Sequence, residues 1–428
     1  MPRRPKIVEM QFTNLVGELR SIEVEYGRFR ESVKYGKVVD GSSLHLARIE
    51  KSDLVLKPVM QTYFDLPWDS SETARVLCDI YAPAEKVEDF GNEQEYGLSP
   101  RYVLKKALAA GRKEGYNFFT SAEVEFFLLD QGRRVDEVGY FTPPPLDKGT
   151  ALRREILKTL MSLGLQCEYA HHEVSCGQYE ITLAYDGAIK MADKVMTFKY
   201  VAKNVADRKG FSITFMPKPF DGMNGSGMHM HMSLVRGEKN LFFGRERIST
   251  EAKYFIGGLL AHARALCAVA APTVNSYKRL VAGYEAPVYI CWGFMNRSTL
   301  IRVPSFNTKK SARVEIRMPD PKCNPYLMMA GMLIAGMDGV RQQTDPGEPD
   351  TRNVYENTEG LDRLPATLAE AVHELQRDTV LVEGLGQEII DRYAELKTKE
   401  WEDYSKTHAE WNPLEITEWE KNRYLEAF

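Results

Sequence analysis

Residues 224–234 read Asn-Gly-Ser-Gly-Met-His-Met-His-Met-Ser-Leu, and this stretch restricts the chain more than any other. From Met228 onward apolar and polar residues alternate strictly, which is the period of a β-strand. His229, His231 and Ser233 fall on one side; Met228, Met230 and Met232 fall on the other. The methionine side has the pattern of a face packed on a core, so the imidazoles point away from it. The glycines just before it let backbone approach a ligand closely. Taken alone, a His-x-His strand is ordinarily half-buried, with its polar side in water.

Three further stretches weigh against that reading. In Ser121-Ala-Glu-Val-Glu-Phe-Phe-Leu-Leu-Asp130, Glu123 and Glu125 share one face of an otherwise apolar strand. Two carboxylates there repel each other and resist burial, so a cation belongs between them. In His171-His-Glu-Val-Ser-Cys-Gly-Gln-Tyr-Glu-Ile181, Glu173 and Glu180 fall on opposite faces of any straight strand. The Cys176-Gly177 region must turn or bulge if the two are to converge. Residues 311–319 alternate again, with Arg313, Glu315 and Arg317 on one face; alone, that pattern fits a solvated ion-pair ladder.

Together these strands offer Glu123, Glu125, Glu173, Glu180 and Glu315 with His229, and no thiolate. Such an oxygen-dominated donor set selects hard divalent ions, Mg²⁺ or Mn²⁺, over zinc or copper. Six ligands suit two ions with positions left open for water and substrate. Arg279, Arg297, Arg302, Arg313 and Arg317 lie in the same part of the sequence. Guanidinium groups hold phosphoryl oxygens bidentately, so the residues point to metal-dependent phosphoryl transfer.

The 428 residues, 43% hydrophobic and 27% charged, describe an ordinary globular chain with room for two domains. A net charge of -4 gives no reason to expect nucleic acid or an anionic membrane as partner. The apolar stretch 326–337 is too short to span a bilayer, and the basic opening residues precede no signal-peptide core. Six scattered cysteines without a C-x-x-C pair fit reduced thiols in a cytoplasm.

In chain order, residues 1–65 read as short strands (7–12, 18–24, 54–56) separated by turns at Tyr35-Gly36-Lys37 and Asp40-Gly41-Ser42-Ser43. A strand over 70–81 and a helix over 100–114 follow, the latter with Ser99 as N-cap and Pro100 at its first position. Further helices are expected over 149–163, 191–208, 250–270 and 324–340, with a strand over 211–215. Residues 342–365 read as a surface loop. The tail from Thr367 is helical, opened by a capping box of Thr367 and Glu370.

These motifs resemble type I glutamine synthetase. The resemblance rests on Asp40-Gly-Ser-Ser, Glu123-Val-Glu-Phe-Phe, His172-Glu173 with Gly177-Gln-Tyr-Glu180, and Lys218-Pro-Phe with Asn224-Gly-Ser-Gly-Met-His229. It extends through Asn275-Ser-Tyr-Lys-Arg-Leu, Gly283-Tyr-Glu-Ala-Pro, Asn296-Arg-Ser, Arg313-Val-Glu-Ile-Arg317 and Pro319-Asp-Pro, in order over nearly the whole chain.

The resemblance implies an α+β fold: a small N-terminal β-grasp domain with its linker over 1–97, and a larger catalytic domain over 98–428. In the latter a curved antiparallel sheet is flanked by helices. It also implies a dodecamer of two hexameric rings with active sites between subunits. The reaction would join ammonia to the γ-carboxylate of glutamate at the expense of ATP, through γ-glutamyl phosphate. Carried over by position, Glu125, Glu173 and Glu180 would hold one metal, and Glu123, His229 and Glu315 the other. Asn224, Gly225, Arg279 and Arg317 match glutamate-binding positions. Arg297, Arg302, Arg313 and His231 match positions around the phosphates, and Tyr185, Ser233 and Lys310 match the nucleotide pocket. Asp40, Ser43, Tyr140 and Glu285 match the ammonium pocket, the first two reaching in from a neighbouring subunit.

Asp40 and Glu285 would bind ammonium and accept its proton, and Arg297 would stabilise the leaving phosphate. Glu285 lies in a Gly-rich loop suited to closing over the intermediate. The chain departs from the family pattern at Leu44-His45-Leu46, Lys51-Ser52-Asp53, Val59, Met223, Met295 and Lys322. An alternative is a paralogue that ligates glutamate to a larger amine, a polyamine or ethanolamine; a non-catalytic regulatory relative is a further one. Retention of Asp40, Tyr140 and Glu285 favours ammonium. Tyr355 reads as a plain surface tyrosine.

Overall fold

The computed structural model describes residues 5–69, 72–89, 91–245 and 247–428. The chain divides into two compact units, one up to Lys106 and one from Ala107. In the first, β1 (Ile7–Thr13) and β2 (Leu19–Glu25) form a hairpin, followed by α1 (Tyr26–Tyr35), β3 (Lys37–Asp40), β4 (Asp53–Pro58), β5 (Phe64–Asp65) and β6 (Thr73–Tyr81). The sheet order is β2-β1-β6-β4-β3 with β5 on β6; β1 and β6 run parallel and the other pairs antiparallel. Val8, Met10 and Phe12 alternate into its core, as the period requires.

Helix α1, which lies against β4, β2 and β1, is absent from the sequence expectation. Only Phe29 and Ser32 of it are buried, and Gly27 and Val33 dilute its helical signal. Of the strand expected over 70–81, Ser70 and Ser71 lie outside the described residues.

The second unit begins within α2 (Pro100–Lys113) and continues through β7 (Asn117–Asp130), β8 (Arg133–Arg134), α3 (Thr150–Ser162), β9 (Cys167–His172), β10 (Gln178–Gly187) and α4 (Ala188–Asp207). After β11 (Ser212–Thr214) come β12 (Met228–Arg236), β13 (Lys239–Asn240), β14 (Phe243–Gly244), β15 (Arg247–Ile248), α5 (Thr250–Ala261), α6 (Ala263–Ala270) and α7 (Ser276–Arg279). The strands β16 (Trp292–Phe294), β17 (Ile301–Val303) and β18 (Val314–Ile316) precede α8 (Pro325–Gln342), α9 (Leu368–Arg377), α10 (Thr379–Leu385), α11 (Gln387–Thr407) and α12 (Glu418–Tyr424).

One sheet organises this unit, in the order β16-β17-β18-β12-β7-β10-β9, with β11 and β8 on β7 and β13 on β12. All its pairs are antiparallel except β16–β17. Met228, Met230 and Met232 are wholly buried, as are Val124, Ala122, Ile316 and Val314 beside them. Helix α4 packs on β7 and β10, and α8 on α4, α5 and α6.

The helix expected over 250–270 is two helices, broken at His262, whose imidazole lies 2.6 Å from Asp378 and 3.3 Å from Asp338. Thr367 does cap α9, but Glu370 reaches back to the N–H of Ala366, one residue before the expected partner. All six cysteines are unpaired. Among the described residues no helix is long and apolar enough to cross a membrane.

Candidate active site

The registers of four adjacent strands bring the acidic and imidazole side chains together. Glu123 of β7 stands opposite His229 of β12, and Glu125 opposite Glu180 of β10. His231 stands opposite Glu315 of β18, and Glu315 opposite Arg302 of β17. Directly opposed residues of an antiparallel pair share a face, so all of these project from the face away from the methionines. The opposite-face problem of Glu173 and Glu180 is resolved by a hairpin. Gly177 takes φ +68° between β9 and β10, a conformation glycine adopts without penalty.

Asp136 holds this hairpin. Its Oδ1 accepts from the Gly177 N–H at 2.8 Å and lies 3.0 Å from His172 Nε2, and its Oδ2 accepts from Tyr179 OH at 2.7 Å.

Three groups of side chains have ligand atoms within 4.8 Å of one another: Glu123, His229 and Glu315; Glu125, Glu180 and His229; His171, Glu173 and Glu180. The first is the trio expected for one metal. The trio expected for the other, Glu125, Glu173 and Glu180, is divided between the second and third groups, with Glu180 common to both. His171 is the addition that sequence reasoning missed. Its Nε2 lies 3.4 Å from Glu180 and its Nδ1 3.7 Å from Glu173. A His-His pair beside a glutamate was the available signal, and only the glutamate was used.

The two halves of the cluster are balanced differently. Glu315 is fully buried, yet Arg302 contacts it at 2.6 Å and Arg317 at 2.8 Å. Burial pushes its carboxyl up, but Arg317 and His231 outweigh that and hold it down at about 2. Glu123 is likewise held well below the usual range against burial, by His231 at 2.7 Å and His229 at 3.2 Å. Arg313 Nε donates to His231 Nδ1 at 3.2 Å, which leaves Nε2–H to donate to Glu123.

On the other side no arginine pairs with the carboxylates among the described residues, and the nearby His171 offsets only part of the burial of Glu173. Burial, then Glu125 and Glu180, push Glu173 up to about 9, and burial with Glu123 and Glu125 raises Glu180 well above its ordinary value. Buried carboxylates so arranged fit hard divalent ions bound through oxygen.

Two cavities flank the cluster. One, of 360 Å³, is lined by Glu123, Glu125, Glu173, Glu180 and His229 with Asn224, Gly225, Arg279, Arg317, Arg297, Tyr140 and Glu285. The other, of 290 Å³, is lined by Tyr185, His231, Lys310 and Arg313 with Glu123 and Tyr169. Of the residues expected around glutamate and ammonium, Asn224, Gly225, Arg279, Arg317, Tyr140 and Glu285 line the first cavity, as does Arg297, expected at the phosphates; Tyr185, His231, Lys310 and Arg313, expected on the nucleotide side, line the second. Glu123 and Tyr169 line both, and Tyr169 OH donates to Glu123 at 3.1 Å. Ser233 lines neither, but hydrogen-bonds Tyr185. Arg302 also lines neither and pairs with Glu315.

Arg279 donates to the carbonyls of Met318 and Arg317 at 2.8 and 3.0 Å. The guanidinium of Arg297 has no partner among the described residues. Tyr355 is not the plain surface residue its context indicates: it is half-buried, lines the first cavity, and its OH donates to the Arg297 carbonyl at 3.3 Å. Gln178 was also missed; its amide donates to Glu125 at 3.1 Å and to the Gly225 carbonyl at 3.0 Å. Asp40 and Ser43 lie in the first unit. There Asp40 is exposed and accepts from Ser42 N–H, Ser42 Oγ and Ser43 Oγ at 2.9, 2.7 and 2.8 Å, which lowers its pKa to about 2.

Comparison with known proteins shows the family. Residues 4–83 match the family model of the glutamine synthetase beta-grasp domain, and residues 97–416 that of the glutamine synthetase catalytic domain. Glutamine synthetase of Thermotoga maritima is 42% identical over 98% of this chain and 96% of its own, and that of Pyrococcus furiosus 44% over the same shares. Glutamine synthetase of Halobacterium salinarum is 41% identical over 98% of this chain and 94% of its own. Solved structures described as a GmaS/ADP complex and as apo GmaS superpose with a TM-score of 0.86 at 31% identity, over 98% of this chain and 96% of each of those. The β-grasp and catalytic domains implied by the motifs are therefore both present, and the chain belongs to the glutamine synthetase family.

Proposed function

We propose that this chain joins ammonia to the γ-carboxylate of glutamate with cleavage of ATP, forming glutamine, ADP and phosphate. The observation that carries the reading is the pair of cavities meeting at Glu123, with the metal-ligand cluster between them. A nucleotide in the second cavity and an amino acid in the first would face each other across that cluster. Glu123, His229 and Glu315 would hold one divalent ion, and Glu125, Glu173 and Glu180, with His171 beside them, another. Bound Mg²⁺ or Mn²⁺ supplies positive charge to the phosphoryl group in transfer.

The chain's own groups do the remainder. Arg279, Arg317, Asn224 and Gly225 would orient glutamate, and Tyr185, Ser233, Lys310, Arg302 and Arg313 would serve the nucleotide side. The unpartnered Arg297 guanidinium is suited to charge on the departing phosphate. Glu285 would take a proton from ammonium, so that the nitrogen lone pair attacks the acyl phosphate. Asp40, Ser43 and Tyr140 would complete the ammonium pocket, the first two supplied by a neighbouring copy in a dodecamer. We place the enzyme in the cytoplasm, where its unpaired thiols stay reduced.

The test is product formation from glutamate, ATP and Mg²⁺ with ammonia, compared with ethanolamine and a polyamine. Glutamine as the dominant product is expected. Preference for a larger amine would move the chain to the γ-glutamyl-amine ligases, and no ATP-dependent product with any amine would overturn the reading.

A further inference from the structure

None of the roles above uses Lys218. The side chain is 2 % exposed, and its main chain is gripped from both sides by Asn275. The Lys218 N–H donates to Asn275 Oδ1 at 2.6 Å, and Asn275 Nδ2 donates to the Lys218 carbonyl at 3.0 Å. Asn275 also donates to Glu420 at 2.8 Å, and Glu420 pairs with Lys278 at 2.6 Å; both of those side chains are wholly buried. The backbone at Lys218 is therefore anchored, and the ammonium end reaches two loops of the first cavity.

It donates to the carbonyl oxygen of Met223, the residue before Asn224 and Gly225. Its Nζ also stands 3.4 Å from the centroid of the Tyr284 ring, the residue before Glu285. No carboxylate lies within ion-pair distance of it among the described residues; Arg279 and Asp221 are the charged groups that act on it. A buried ammonium without a counter-ion is costly. Here the ring face and one carbonyl take the place of water. Burial, and next Arg279, lower its pKa to about 8, which leaves it charged at neutral pH.

The loop it reaches is the one suited to movement. Gly283 takes φ +91° and Glu285 φ +55°, and both are exposed. We propose that Lys218 is a positioning residue that latches the Tyr284–Glu285 loop to the Asn224–Gly225 loop, so that the cover over bound glutamate closes in register with the backbone that binds it. This rests on the glutamine-forming reading of the first cavity. With the latch lost, water reaches the acyl phosphate. Its oxygen bonds to the acyl carbon, the bond from that carbon to the phosphate oxygen breaks, phosphate leaves with the electron pair, and the water protons pass to solvent. Glutamate is regenerated, and ATP is spent without glutamine.

The experiment measures ADP and glutamine together in the full-length enzyme with glutamate, ATP, Mg²⁺ and ammonia. The variants are Lys218→Met, which keeps the stem and removes the charge, Tyr284→Leu, which removes the ring face, Tyr284→Phe, which keeps it, and the Lys218→Met/Tyr284→Leu double. Wild type and Tyr284→Phe are expected to release one ADP per glutamine. Lys218→Met and Tyr284→Leu are expected to raise that ratio about tenfold, the scale of a desolvated cation–π contact, with the KM for ATP unchanged. The double variant is expected to be no worse than either single, because both remove one contact.

If Lys218→Met does not fold, the Tyr284→Leu and Tyr284→Phe pair decides alone: uncoupling by Leu and not by Phe supports the latch. A ratio of one in every variant that folds overturns it, as does an equal fall in all rates at an unchanged ratio. Wild type that makes no glutamine would instead overturn the functional reading.

Discussion

Asp136 shows how one buried carboxylate supports a site it does not touch. It is 8 % exposed, so burial works to raise its pKa, but His172, Tyr179 and the Gly177 N–H outweigh that and lower it from 3.8 to about 2. A carboxyl whose folded pKa lies below its unfolded one binds fewer protons in the native state. The stability it adds is therefore fully present above about pH 4 and is lost as pH falls toward 2. That lowering is worth about 2.5 kcal/mol. Asp136→Asn is expected to cost about that much at neutral pH by urea unfolding, to flatten the acid limb between pH 4 and 2, and to weaken metal binding through the Glu173–Glu180 hairpin. Equal acid sensitivity in variant and wild type would contradict this. Nothing in Arg-Arg-Val-Asp-Glu marks Asp136 for such a role; an aspartate among charges in a loop reads as solvated. The three partners through which it holds the hairpin are 36 to 43 positions away, at a separation no local pattern records.

At the scale of elements, alternation made the site legible. Glu123 and Glu125 of β7, and His229 and His231 of β12, stand two positions apart, as Arg313 and Arg317 do from Glu315 of β18, and period 2 alone assigns each set to one face. The pairing of those strands was not legible, because register depends on partners far along the chain. Short loops fared better where glycine sets the geometry. A methyl group on Gly225 would stand 2.2 Å from the Pro217 carbonyl oxygen and 3.0 Å from Arg279 Cγ. The first neighbour is backbone, so the loop itself must shift. Gly225→Ala is expected to lower kcat/KM for glutamate about 100-fold, as misplacement by about an ångström does, while the KM for ATP stays as it was. Steady-state kinetics in each substrate separate the two. Helix α1 escaped notice for the converse reason: with so little of it buried, its periodicity is thin.

The whole second unit depends on its cluster of charge. The candidate ligands run from Glu123 to Glu315 and sit on β7, β12, β18, β10 and the β9–β10 hairpin, so ions there tie together segments nearly two hundred positions apart. Anything that binds the folded form alone stabilises it, by about 2.7 kcal/mol at one hundred times the dissociation constant. Mg²⁺ or Mn²⁺ is expected to raise the thermal midpoint by several degrees and chelator to reverse it, as calorimetry would show; a midpoint indifferent to both would contradict the metal assignment. Composition and motif order had already indicated two domains of mixed α and β structure. They did not reveal that, among the described residues, Glu173 and Glu180 lack the close arginine partners that Glu315 has, which emerges only once burial and neighbours are known.

The unpaired cysteines have a consequence of their own. Cys78, Cys267, Cys291 and Cys323 are buried, and burial raises the thiol pKa of each; Cys167 is pushed up to about 11, and Cys176 is raised as well. Thiolate is the reactive species, so at the four buried cysteines alkylating reagents wait for the structure to breathe. Cys176 sits at the tip between Glu173 and Glu180, whereas Cys267 lies deep in a helix. Cys176 is half-exposed and open to reagent from the start, so the lag of Cys267 behind it is a clock for exposure of the interior.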